Sequence, residues 1–163
     1  MLLIGAVVGL AIGLVAGGRL DALLGIRLRY LALLVAALLL RFGTSWLIEG
    51  GSDVAAALRL PLYGVSFGLV ALVLWLNRSR PGLLLVMVGV LANGLAVVVN
   101  AGWMPYYPPA LEMAGLSVAD LSPAGFFTAL PMDIGVGFLL QAGPFGDVLP
   151  LSVPFLRNVF SIG

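Results

Sequence analysis

Long uncharged apolar runs, broken only by short arginine-bearing turns, leave this chain few ways to fold in water. Residues 2–18 (LLIGAVVGLAIGLVAGG) carry no charge, and further apolar stretches follow at about 28–48, 60–76 and 82–100. Each comes close to the ~20 residues that a helix needs to cross the hydrocarbon core of a bilayer. Only 9% of the residues are charged and 62% are hydrophobic, whereas a soluble domain carries roughly a quarter charged residues. A polar surface cannot be built from such a chain, so the bilayer is its expected solvent. The expected fold class is an all-α membrane protein. Four transmembrane helices occupy residues 1–100, and a Pro/Gly-rich outer segment with short interfacial or re-entrant helices occupies residues 101–163.

The few charges are arranged. Arg19, Arg27, Arg29, Arg78 and Arg80 lie in the first and third connections, whereas Glu49, Asp53 and Arg59 lie in the second. Positive charge gathers on the cytoplasmic side of short membrane loops, so the N-terminus is expected outside, in a multi-pass membrane protein. Trp46, Tyr63 and Trp103 then fall at outer helix ends and Tyr30 and Trp75 at inner ends, as two interfacial belts. Pro61 suits a first helical turn, where its missing N–H costs least. Alternatively, Ser52 or Asp53 caps a longer helix that starts near Val54 and bends at Pro61.

Beyond Asn100 the pattern changes. Eight of the ten prolines lie between Pro105 and Pro154, and the charges become Glu112, Asp120, Asp133 and Asp147 against Arg157 alone. Pro109 to Ala114 reads as a short helix closed by Gly115, and Ser122-Pro123 as a helix start. Residues 132–142 (MDIGVGFLLQA) are too short to span and too apolar for a free loop.

The absent residue types restrict chemistry. The chain has no Cys, His or Lys, which removes thiol nucleophiles, disulfides, zinc sites of the usual kind, Schiff bases and phosphate-loop lysines. No cofactor or resident metal is expected, although Asp133 and Asp147 are an oxygen-ligand or carboxylate-pair combination. The arginines sit where topology accounts for them, so nucleic acid is not an expected partner.

Two constellations stand out. Gly5, Gly9, Gly13 and Gly17 recur every four residues and form one ridge without side chains, against which a second backbone can pack closely. Gly64 and Gly68 repeat that spacing in the third span. This ridge serves either packing of spans one and three or association with another membrane subunit or a second copy. Arg41 is the costly residue, because an arginine at a helix centre costs about 2.5–3.5 kcal/mol on insertion scales. Either it snorkels outward toward the level of Trp46, or it is a buried cation with partners. Gly89, Asn93, Ala96 and Asn100 form a small-and-polar stripe on the fourth span, with Asn93 at the depth of Arg41. Arg41, Asn93 and Asn100 thus outline a candidate polar pocket, with Asp133, Gln141 or Asp147 as further lining.

The stretch LANGLAVVVNAGWMP (residues 91–105), with FGDVLPL and FSIG much later and Gly-Arg-Leu at 18–20, resembles the membrane proteins grouped as the domain of unknown function 5317 family. The resemblance implies a polytopic bacterial membrane protein with motif positions Asn93, Gly94, Asn100, Gly102, Met104, Pro105, Gly146 and Asp147. It implies no activity. It also implies an aspartate and a further apolar helix after the final Ser-Ile-Gly, a fifth span. The expected role is that of a non-enzymatic accessory or structural subunit packing through the glycine ridge. Its rivals are a small-solute or ion pathway through the polar pocket and an outer-leaflet lipid enzyme using Asp133 or Asp147.

Overall fold

The computed structural model describes residues 28–80, 82–121, 126–153 and 156–161. The expected first span, with Gly5, Gly9, Gly13 and Gly17, and the Ser122-Pro123 helix start lie outside the described residues. Three long helices match the apolar runs closely: α1 (Leu31–Glu49), α3 (Arg59–Leu76) and α4 (Leu83–Val99). Between the first two stands a short α2 (Asp53–Ala57), whose N-cap Ser52 accepts a bond from Ala55 N at 3.3 Å. The chain breaks at Leu58 and not at Pro61. A proline ring collides with the carbonyl four residues earlier, here that of Ala57, the last residue of α2. Helices α1 and α3 are long and apolar enough to cross a membrane, and α4 is a shorter apolar helix.

Helix α3 lies between α1 and α4 and packs against both. At the α1–α3 seam Ser66 Oγ donates to Ala37 O at 2.9 Å and the Ser45 and Tyr63 hydroxyls bond at 2.9 Å. At the other helix ends Asn77 is buried; its amide donates to Arg29 O (3.0 Å) and Val73 O (2.7 Å) while its oxygen accepts from Arg29 N (2.8 Å). The segment entering α1 is thereby clasped to the end of α3.

The expectation of an all-α protein is corrected by the chain beyond α4. Bonds from Ala101 N to Val98 O and from Gly102 N to Val97 O close that helix as a Schellman motif, with Ala101 at φ 53° and Gly102 at φ 91°. The chain then enters β1 (Met104–Tyr106), α5 (Pro108–Met113), a 3₁₀ turn (Val118–Asp120), β2 (Phe127–Ala129), α6 (Val136–Leu140), a second 3₁₀ turn (Gly143–Phe145), β3 (Asp147–Val153) and β4 (Leu156–Ser161). These strands form one sheet in the order β2-β1-β3-β4. Strand β1 is parallel to both β2 and β3, and β3 is antiparallel to β4. Prolines inside strands normally argue against a sheet interior; here Pro105 pairs with Thr128 and Pro150 with Val159.

Two apolar clusters hold this cap. Tyr106, Ala110, Leu111, Ala114, Leu121 and Val159 pack α5 on the sheet. Tyr63, Val97, Met104 and Phe126, with Ile48 and Phe67, join the cap to all three long helices. The short helix expected near 109–114 is α5, closed at Gly115 (φ 68°) by Leu116 N bonding to Leu111 O.

Candidate functional site

Arg41 lies on the α1 stripe that also carries Ala37, Thr44 and Ile48, the face that packs on α3. Its guanidinium carbon is 4.8 Å from the Phe67 ring centroid and 4.9 Å from that of Phe126. The cation thus sits between one ring from α3 and one from the cap. Such contacts are worth about 0.5–2 kcal/mol each, more where water is excluded. Asp147 is the carboxylate whose field reaches it. Of the three groups considered as its counterpart, the structure favours Asp147, buried at the head of β3. Asp133 is exposed, and Gln141 faces a different partner.

That partner is Asn100, whose Nδ2 donates to Gln141 O and to Ala96 O, each at 2.8 Å. Gln141, expected as a possible counterpart of Arg41, thus meets Asn100 instead, through its backbone carbonyl. Asn93 does not bond to Arg41. It lines a groove of about 580 Å³ along α4, with Leu85, Gly89, Ala92 and Phe145 among the walls. Arg41 Nη1 and Asn93 Oδ1 are both buried and, among the described residues, without a hydrogen-bond partner. A single pocket joining Arg41, Asn93 and Asn100 is therefore resolved into three environments: an aromatic clamp, a groove and a backbone clasp.

The glycines of the motif positions mark close approaches. A Cβ on Gly94 would stand 3.3 Å from Phe67 Cβ, one on Gly146 would stand 2.6 Å from Pro105 O, and one on Gly102 would collide with the Arg59 side chain. Gly94 thus seats the ring that stacks on Arg41, and Gly146 seats the strand start that carries Asp147. Gly64 and Gly68 behave differently. Among the described residues nothing lies within 4 Å of a Cβ added at either.

Reading residue types alone misses Tyr63, Phe67 and Phe126. Tyr63, expected in an interfacial belt, is instead buried and packs edge-on to Phe126 at 4.9 Å. Ser45, one turn beyond Arg41 and facing Tyr63, was the available signal. Trp46, Trp75 and Tyr30 remain exposed, and Arg59 lies 3.6 Å over the Trp103 ring.

One family model, described as a family of unknown function (DUF5317), matches residues 25–163. The Gly-Arg-Leu at 18–20 falls before the match. No curated protein and no solved structure matches the chain.

Proposed function

The chain belongs to the DUF5317 family of unknown function, and from that premise we propose that it is a non-enzymatic, multi-pass protein of the bacterial cytoplasmic membrane. On this reading it has four spans with the N-terminus outside and is an accessory or structural subunit that associates by helix packing. The observation that carries the reading is how thinly its helices are covered. Only 11% of the α1 span and 22% of the α3 span are buried among the described residues, and Gly64 and Gly68 present an α3 surface without side chains. Close-packed helices with small residues are the usual means of association in lipid, where no hydrophobic force drives helices together. On this reading that surface, like the sequence ridge Gly5, Gly9, Gly13 and Gly17, serves association with a second copy or another membrane subunit. Gly9→Leu, Gly13→Leu and Gly68→Leu are each expected to abolish co-purification in mild detergent of a partner or dimer. Unchanged association in all three would remove the proposal.

A second reading, a solute or ion pathway, draws on the buried, unpartnered Arg41 Nη1 and Asn93 Oδ1. The two aromatic rings against Arg41 weigh against it, because a conducting site needs water or ligand where Phe67 and Phe126 stand. Arg41→Leu in proteoliposomes tests it: unchanged ion flux ends this reading. For the lipid-enzyme reading, Asp133 is exposed and Asp147 buried, which offers no shared carboxylate cleft.

A further inference from the structure

The segment from Met132 to Leu140 presents Met132, Ile134, Val136, Leu139 and Leu140 with between 62% and 73% of their surface exposed. Soluble monomers rarely expose contiguous apolar patches beyond a few hundred Å² unless the patch meets a partner or a membrane. The exposure here is built in, because the backbone beneath is anchored at several points. Tyr107 Oη donates to Met132 O at 3.0 Å. Phe138 is buried edge-on to the Tyr107 ring at 5.7 Å, over a Gly143 that has no room for a Cβ. Asn100 holds Gln141 O. Helix α6 also satisfies its own amides, with Leu139 N on Gly135 O and Gln141 N on Gly137 O.

The Asn100 bond fixes the level of the patch. Asn100 caps the end of α4, and the last turn of that helix exposes Leu95, Val98 and Val99. Through that bond the end of α6 lies beside the end of α4, whose last turn is itself apolar and exposed. We infer that Met132–Leu140 is a lipid-contact element. It dips into the headgroup and upper acyl region of the outer leaflet and seats the sheet-bearing cap on the bilayer. The occupant is lipid and not a protein groove, since on the membrane-spanning reading above, on which this inference rests, the exposed apolar end of α4 beside it meets the bilayer. A short helix lying in the interface with its apolar side down is a known physical arrangement. Asp133, the only charge between Pro131 and Ala142, marks the aqueous rim.

The chain has no cysteine, so single spin labels can be introduced directly. Val136→Cys, Leu139→Cys and Leu140→Cys would be labelled in phosphatidylethanolamine/phosphatidylglycerol proteoliposomes, with Leu91→Cys on α4 and Glu112→Cys on α5 as deep and aqueous references. Accessibility to oxygen and to a water-soluble nickel chelate is read by power saturation. The expected result is an oxygen-to-nickel ratio severalfold above that at Glu112→Cys and below that at Leu91→Cys. Ratios equal to Glu112→Cys, or shielding from both reagents as a protein partner would produce, overturn the inference while Leu91→Cys still reports the bilayer. An aqueous signal at Leu91→Cys would instead sink the spanning reading, and this inference with it.

Discussion

Asn100, at the end of α4, donates its side-chain amide to the backbone carbonyl of Gln141 at 2.8 Å, tying a helix end to a segment 41 residues later in the chain. Removing a buried partner of this kind costs about 1–3 kcal/mol through the group left unpaired. Asn100→Leu is expected to lower stability in detergent by that amount and to speed proteolysis within 131–142. Asn100→Asp should do the same, because a carboxylate has no N–H to donate. Wild-type stability in the aspartate variant would show that the clasp carries no weight.

Arg41 and Asp147 are expected to be coupled. Arg41→Met removes two cation–π contacts and the positive charge that acts on Asp147, and Arg41→Lys should rescue poorly because an ammonium cannot stack as a plane. A cycle of Arg41→Met, Asp147→Asn and the double variant should give an interaction of about 0.5–3 kcal/mol in unfolding free energy. Strict additivity would contradict the coupling.

Asn93→Leu should be neutral or stabilising. Its Oδ1 is buried and unpartnered, a condition that costs about 1–3 kcal/mol, and leucine suits the apolar groove. A marked loss of thermal stability would mean that the amide has a partner, and would strengthen the pocket reading.

Gly146→Ala and Gly102→Ala are expected to destabilise by about 1–3 kcal/mol, the usual range for overpacking. Backbone stands in the way at Gly146, and Gly102 adds a φ of 91°. Gly94→Ala should be milder, since the Phe67 ring can yield by a few tenths of an ångström. Chemical denaturation of the three variants side by side checks this order.

Asp120 Oδ2 accepts from Ser117 N at 2.7 Å and from Ser117 Oγ at 2.8 Å. These bonds favour the ionised carboxylate and hold its pKa below the ordinary value, first through the backbone bond and then through the side-chain bond. A depressed folded-state pKa contributes stability that is present above the unfolded value, about 3.9 for aspartate. That contribution is lost as pH falls through the folded value. An NMR titration should place the Asp120 midpoint below the ordinary aspartate value, and Ser117→Ala should raise it.

How much of this was legible in the chain varies with the range of the interactions involved. The apolar runs and their breaks placed α1, α3 and α4 within a few residues, because helix bonds are local and the runs themselves end where the helices do. The sheet was not legible. Strands β1 and β2 are three residues long, Pro105 and Pro150 argue against them, and the β1–β2 and β1–β3 pairings are parallel and distant in sequence. The site was half legible. Arg41 stood out by its cost in an apolar helix, and Asn93 and Asn100 by their stripe on the fourth apolar run. The aromatic pair that receives Arg41 was not, because Phe67 and Phe126 look like any other apolar residues until the cap folds back.

The chain by itself therefore determined the long apolar helices. With 9% charged and 62% hydrophobic residues it forms helices of which two are long and apolar enough to cross a membrane, and local hydrogen bonding decides where they run. Only the tertiary structure decided what Arg41 meets, where Asn93 points, and that the proline-rich segment is a sheet. Those outcomes depend on pairings between residues tens of positions apart, whose chain-entropy cost is offset only when the whole cap packs at once.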